Sequence, residues 1–166
     1  MEQYYPEFLL ATQNVDDLHE RAGSKKLVKI HGDAWQMRCL ECSDVTDVRD
    51  RDLPDEFVAD TLPKCDKCGG LCRPNIVWFG EYVPHDAMLQ AMTASATCDL
   101  MLIVGTSGEV SGGYGFTECA LANDASVVEI NPASGALTRH AQFWIPEASG
   151  VALPRIWRQA TGEDVS

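Results

Sequence analysis

Leu100-Met101-Leu102-Ile103-Val104-Gly105-Thr106-Ser107-Gly108 is the stretch on which the fold turns. Five consecutive apolar residues make a strand too uniformly apolar for a sheet with one wet face. Such a run suits a parallel sheet covered on both faces. It stops at a glycine followed by two hydroxyl side chains. Open α/β sheets hold ligands beyond the carboxyl ends of their strands, where glycine lets a phosphate or ribose approach backbone N–H groups and a following helix N-terminus favours negative charge. Taken alone, Gly105-Thr106-Ser107-Gly108, with Gly112-Gly113 beyond it, reads equally as a plain turn. It is neither a P-loop, having no Gly-Lys-Ser/Thr, nor a G-x-G-x-x-G fingerprint.

On either side the pattern supports a layered α/β architecture. Downstream, the spacing predicts a helix over residues 116–122 and a strand over 126–130 that ends at Asn131-Pro132. A further strand over 141–145 and a helix over 153–158 follow. Upstream, Pro84 can open a helix that runs through Met88, Leu89 and Met92 to about Ala96. Helix, strand, glycine turn, helix, strand is a βαβ progression. Asn131 ends a strand of this progression, so it can reach the same edge as Ser107 and bond a ribose hydroxyl, although asparagine is also a routine turn former.

Before this region the character changes. Arg73-Pro74-Asn75-Ile76-Val77-Trp78-Phe79-Gly80-Glu81 is apolar and strand-like. Cys39-x-x-Cys42 and Cys65-x-x-Cys68, with 22 residues between the pairs, have the spacing of a tetrahedral zinc site. Trp35, Met37 and the polar stretch over 43–61 suggest short hairpins and loops. A segment this poor in apolar surface takes much of its folding free energy from its metal. Cys72 is a conceivable spare ligand, but the two pairs already supply four thiolates. Cys98 and Cys119 lie in apolar surroundings and read as small core residues. A shell of four thiolates leaves no open position for a zinc-bound hydroxide, so chemistry belongs elsewhere.

Residues 8–11 form a strand candidate delivering Thr12-Gln13-Asn14. A turn or short helix over 15–21 ends at Gly23, and residues 27–30 read as another brief strand, so His31 also emerges at a strand end. Histidine titrates near neutrality, which makes His31 the best candidate for a general base. Asn14 and Asp16, two apart on a strand-like backbone, can point together into a polar cleft, though Asn-x-Asp is common in turns. Ser107 lacks the Gly-x-Ser-x-Gly elbow of a nucleophile. The domain division that follows is a partial Rossmann-like segment over 1–33, a zinc-binding insert over 34–72, the remainder of the Rossmann-like domain over 73–160 and a frayed tail over 161–166.

Composition bounds the function. The chain has 166 residues, room for one core plus a metal-stapled appendage. Its longest apolar run is strand-sized and no basic-then-apolar leader opens it, so neither a membrane partner nor a signal peptide is expected. Seven cysteines, an odd number arranged partly in metal-type pairs, favour a reducing, cytoplasmic compartment. With 25 acidic against 13 basic residues the net charge is −12, which opposes nucleic-acid binding; a basic peptide would meet a favourable field.

In order, Thr12-Gln13-Asn14-Val15-Asp16-Asp17-Leu18-His19 with Ala22-Gly23, His31-Gly32, the two cysteine pairs with Cys68-Gly69-Gly70, Arg73-Pro74-Asn75-Ile76-Val77-Trp78-Phe79-Gly80-Glu81, Gly105-Thr106-Ser107 and Glu129-Ile130-Asn131 span most of the chain. Together they resemble the sirtuin family of NAD-dependent protein deacylases, nearest its bacterial and mitochondrial branch. The resemblance implies that one structural zinc is held by Cys39, Cys42, Cys65 and Cys68. It implies that Gln13, Asn14 and Asp16 line the nicotinamide and ribose pocket, and that His31 takes a proton from a ribose hydroxyl. Val77, Phe79 and Gly80 would hold an acyl-lysine peptide. Gly105, Thr106, Ser107 and Asn131 would contact NAD phosphate and adenosine ribose, with Val151 of Ser149-Gly150-Val151 near adenine. The implied reaction moves the acyl group to ADP-ribose and releases nicotinamide and free lysine.

Two departures from the family pattern set further expectations. No Gly-Ala-Gly-x-Ser loop precedes Thr12, so the chain is expected to lack the N-terminal part of the catalytic domain. On that reading the parallel sheet is incomplete, and NAD binding and stand-alone activity are weak. A complementing chain would then rebuild the site, or the protein would serve as a non-catalytic zinc-stabilised interaction fragment. The second departure is Ser111-Gly112-Gly113-Tyr114, whose glycines would loosen the turn after Ser107.

Overall fold

The computed structural model describes residues 1–54, 56, 58–110 and 114–163. The contrast at Ser111-Gly112-Gly113 therefore lies outside the described residues, as does the end of the expected tail. The chain forms two compact units, one of Pro6–Met88 with Glu2, the other of Leu89–Ser166 with Met1 and Gln3–Tyr5.

In the first unit, β1 (Leu10–Thr12) pairs in parallel with β2 (Leu27–Lys29), joined through the short helix α1 (Leu18–Arg21). Both strands are displaced by a residue or two from the expected 8–11 and 27–30. Glu2 and Pro6 are tied to the segment that enters β2. The Glu2 carboxylate accepts the backbone N–H groups of Lys25 and Lys26, and Lys26 Nζ donates to the Pro6 carbonyl.

An antiparallel sheet follows, ordered β4-β3-β5, from β3 (Gly32–Cys39), β4 (Val45–Asp47) and β5 (Cys72–Ile76). The sequence suggested short hairpins from Ala34 onward. β3 and β4 do form a hairpin, but β3 is eight residues long and begins at Gly32, with a register shift between Asp33 and Met37 in its pairing with β5. Strand β5 stops at Ile76, so the strand-like run expected through Glu81 is shorter. Glu81 N–H closes a turn onto the Trp78 carbonyl at 2.9 Å.

A charged cluster ties α1 to β2, β3 and the segment after β4. Lys29 Nζ donates to Glu20 at 2.6 Å and to Asp33 at 3.0 Å, and Arg49 reaches Asp33 at 2.7 Å. Burial alone would lower the Lys29 pKa, but hydrogen bonds to Glu20 and Asp33 outweigh it and raise it. Buried charge survives here because it is paired on both sides.

The second unit carries the βαβ progression. Strands β6 (Leu100–Val104), β7 (Ser126–Ile130) and β8 (Phe143–Ile145) form a parallel sheet in that order, with α3 (Phe116–Ala122) between the first two. Helix α2 (His85–Thr97) precedes it, within a residue of the expected bounds. The core gathers Ile103, Ala120, Ala125, Val127 and Leu137, with Cys98 packed against it. Strand β6 was expected to be covered on both faces. Ile103 is buried, but Leu100 and Val104, at the two ends of β6, are exposed, and among the described residues β6 pairs with β7 alone. Helix α4 (Ser149–Thr161) is twice the expected length and carries Pro154 inside it. Gly150 and Pro154 are poor helix formers, which is why local pattern shortened it. Gly162, at φ 76°, ends it in the left-handed conformation. Among the described residues no helix is long and apolar enough to cross a membrane.

Candidate functional site

His31 follows β2 and opens onto β3 through Gly32, whose φ is 81°. A Cβ placed on Gly32 would stand 2.1 Å from the Asn75 carbonyl oxygen, so no other residue fits beside β5. This close approach fixes the backbone at His31, whose carbonyl accepts the Val77 N–H at 2.9 Å. The ring is fixed from the other side, with His31 Nδ1 lying 3.0 Å from the Gln13 carbonyl oxygen. A carbonyl only accepts, so Nδ1 bears the hydrogen and, in the neutral ring, Nε2 bears the lone pair.

The Gln13–Asp16 segment lies beyond the end of β1. Asn14 N–H donates to Thr12 Oγ1 at 3.1 Å, leaving the Asn14 side chain exposed. Asp16 does not continue a strand alongside Asn14. Its Oδ1 accepts Leu18 N–H at 3.0 Å, where it braces the start of α1. Through these bonds the structure brings Gln13, His31 and Val77 into one chain of contacts, with Asn14 and Asp16 on the adjoining loop.

Phe79 is fully exposed at the tip of the turn after β5, beside Gly80 at φ 86°. The turn is clamped by residues to which sequence reasoning gave no role. Arg73 donates to Glu81 Oε2 at 2.7 Å, and its guanidinium lies 4.5 Å from the centre of the Trp78 ring. Glu81 Oε2 also accepts the Trp78 N–H at 3.1 Å. Arg73 and the Trp78 N–H together hold the Glu81 carboxyl below its ordinary pKa. Opposite charges eight residues apart, flanking an aromatic turn, were the signal available.

The four cysteines converge. Their Sγ atoms all lie within 4.8 Å of one another, with Cys39 to Cys68 at 3.5 Å, Cys42 to Cys68 at 3.5 Å and Cys42 to Cys65 at 3.6 Å. Sulfurs about 2.3 Å from a tetrahedral centre would be about 3.8 Å apart, so this set fits one metal ion. The N–H of Cys42, followed by that of Glu41 and the Cys68 thiol, pulls the Cys39 thiol down to about 6 against the effect of burial. Such N–H···S bonds suit thiolate ligands. Cys72, opposite Cys39 on β5, is not one of the four converging thiols, and burial pushes its thiol up to about 11.

In the second unit, Gly105-Thr106-Ser107 and Asn131 sit together beyond the carboxyl ends of β6 and β7. Asn131 Nδ2 donates to the Thr106 carbonyl at 2.7 Å and to Glu129 Oε1 at 3.4 Å. Ser107 Oγ accepts Glu109 N–H at 3.3 Å, and its carbonyl accepts Ala136 N–H at 2.9 Å. Gly135 makes this approach possible, since a Cβ there would lie 2.6 Å from that carbonyl oxygen. Val151 was expected near adenine. It lies in the first turn of α4 and is exposed, and among the described residues no hydrogen bond joins it to Asn131 or Ser107. Glu129 was quoted only as part of a motif, yet it is completely buried. A lone acid in Ser126-Val127-Val128-Glu129-Ile130, on the same face as Val127, was the sign.

The sequence profile of the Sir2 family matches residues 1–112, and the chain belongs to that family. It is 41% identical over 157 residues to an NAD-dependent protein deacylase of Aquifex aeolicus, covering 95% of this chain and 64% of that one. It is 42% identical over 145 residues to NAD-dependent protein deacylase 2 of Pyrobaculum aerophilum, covering 87% and 56%. The chain thus spans 56–64% of the length of these two relatives. Among solved structures, a Sir2 homologue in complex with NAD superposes with a TM-score of 0.85 at 35% identity, over 93% of this chain and 59% of the other. A Sir2 protein bound to an acetylated peptide gives 0.81 at 30%, over 93% and 64%.

These matches correct one expectation. The match to the Sir2 family starts at residue 1, not at Thr12, so residues 1–11 lie inside the matched region rather than ahead of it. Of these residues, Glu2 and Pro6 are bonded to Lys25 and Lys26 beside the β1–β2 pair.

Proposed function

We propose that this chain is an NAD-dependent protein lysine deacylase. The observation that carries the reading is the double anchorage of His31. Its ring is held by Gln13 and its carbonyl by Val77, so a base and a peptide-binding segment are fixed to each other. Relatives named as NAD-dependent deacylases, and solved relatives holding NAD or an acetylated peptide, support it.

NAD, when bound, supplies the ribose carbon that receives the acyl group and the nicotinamide that leaves. Gln13, Asn14 and Asp16 line the space for nicotinamide and its ribose. His31 Nε2 takes the proton of a ribose hydroxyl, with Nδ1–H held by Gln13 so that the ring neither turns nor changes tautomer. Val77 and Gly80 offer backbone groups to an extended acyl-lysine peptide, and Phe79 offers an apolar face. Gly105, Thr106, Ser107 and Asn131 receive phosphate and ribose, and Val151 contributes at the α4 end. Cys39, Cys42, Cys65 and Cys68 would hold a structural zinc that closes the antiparallel sheet and takes no part in the reaction. Zinc-binding thiols suit a reducing compartment, which agrees with a cytoplasmic setting.

The test is mass spectrometry of an acetyl-lysine peptide incubated with the 166-residue protein and NAD. Deacylation that requires NAD is expected. His31→Ala should slow it by at least about 100-fold, the low end of general-base effects. Deacylation independent of NAD, or untouched by the substitution, would refute the reading.

A further inference from the structure

Glu129 sits within an apolar strand, between Ile103 of β6 and Trp144 of β8, with no exposed surface. Its Oε2 has no hydrogen-bond partner among the described residues. A buried carboxyl group with an unpaired oxygen is strongly disfavoured, and valine at this position would suit β7 better. The one use visible for Glu129 is at Oε1, which accepts from Asn131 Nδ2 at 3.4 Å while the Thr106 carbonyl accepts from the same nitrogen at 2.7 Å.

The orientation of the Asn131 amide follows from these partners. Both are acceptors, so the nitrogen faces inward and its two hydrogens are committed there. The backbone is also held, since Asn131 N–H donates to the Ile145 carbonyl at 3.1 Å and the Asn131 carbonyl accepts Trp144 Nε1–H at 2.9 Å. What Asn131 presents beyond the sheet is Oδ1, an acceptor. An acceptor recognises a hydroxyl group and repels a phosphate ester, whose ionised oxygens are acceptors too.

We infer that Glu129 is a positioning residue that fixes Asn131 as a hydroxyl acceptor, so that this strand-end subsite selects a ribose with free hydroxyls against one bearing a 2′-phosphate. The inference rests on the cofactor reading above and deepens it by assigning the source of that selectivity.

Titration calorimetry of the full chain with ADP-ribose and with its 2′-phosphorylated form tests it. Wild type should prefer ADP-ribose. Glu129→Val removes a buried unpaired oxygen, so its thermal midpoint should hold or rise while ADP-ribose affinity falls about tenfold, the upper size expected for one neutral hydrogen bond. The preference against the 2′-phosphate should narrow, because the Thr106 carbonyl alone then holds the amide and its nitrogen turns outward more readily. Glu129→Gln, whose side-chain oxygen still accepts from Asn131, should recover most of the lost affinity. In an Asn131→Ala background, Glu129→Val should have no further effect on binding. Wild type that binds ADP-ribose, with Glu129→Val binding as well and as selectively, would overturn the role of Glu129 alone. The same loss with and without Asn131 would also overturn it. Wild type that binds neither ligand would overturn the cofactor reading, and this inference with it.

Discussion

At Gly32 the backbone of the candidate base and the backbone of β5 come too close for any side chain. The left-handed φ and the 2.1 Å approach of the Asn75 oxygen act together, so Gly32→Ala meets both strain and a collision with main chain. We expect it to destabilise by about 4 kcal/mol or more, measured by denaturant unfolding. A loss under about 1 kcal/mol would show that the strands can part there. Arg73 and Glu81 give a second prediction at this scale. The carboxyl pKa is depressed, so its contribution to holding the turn is present above the ordinary carboxylate value and is lost as pH falls through the lower folded value. Carbon NMR titration of Glu81 should show a midpoint below about 4.3, returning to that range in Arg73→Ala. An unchanged midpoint in the variant would remove Arg73 as the cause. His31 at a strand end was legible from sequence, because a short apolar run followed by His-Gly is a local pattern. The Arg73–Trp78–Glu81 clamp was not, because it depends on a turn that returns eight residues later.

Among the elements, the antiparallel sheet and the β1–β2 pair depend on different glue. Four thiols converge at one end of β4-β3-β5, where, besides Cys39 and Cys65, Met37 and Val48 are the buried apolar side chains among the described residues. Removing metal with a chelator should therefore abolish the folded signal of β3 and β5 in hydrogen exchange, and Cys65→Ser should do the same. Unaltered protection in metal-free protein would show that the sheet stands without its ion. At the other end, Lys29 is nine-tenths buried and shared by Glu20 and Asp33. Lys29→Ala leaves two acids near each other and should cost about 3 kcal/mol. A change within about 0.5 kcal/mol would class the cluster with ordinary surface pairs. The cysteine pairs and β6 were readable because spacing and apolar runs are local. The length of β3, the edge position of β6 and the full extent of α4 were not. Each is set by which strand or helix lies alongside, and by how that neighbour tolerates residues such as Pro154.

For the whole molecule, the order of motifs along the chain placed it in the right family, and the family match then took in the first eleven residues that motif reading had set aside. Those residues lack any motif, but Glu2 among them is bound to the backbone of Lys25 and Lys26 beside the β1–β2 pair. Glu129 shows the converse: its position in a motif was plain, while its burial and its bond to Asn131 needed the folded sheet. The account's central claim is that an acyl group leaves lysine by transfer to NAD-derived ribose, with His31 moving the proton. The most direct measurement is the product balance of one reaction, with nicotinamide, deacylated peptide and acylated ADP-ribose quantified together by mass spectrometry. The account predicts equal molar amounts of all three from wild type and loss of all three with His31→Ala. Deacylated peptide accompanied by free carboxylate, without nicotinamide, would contradict it.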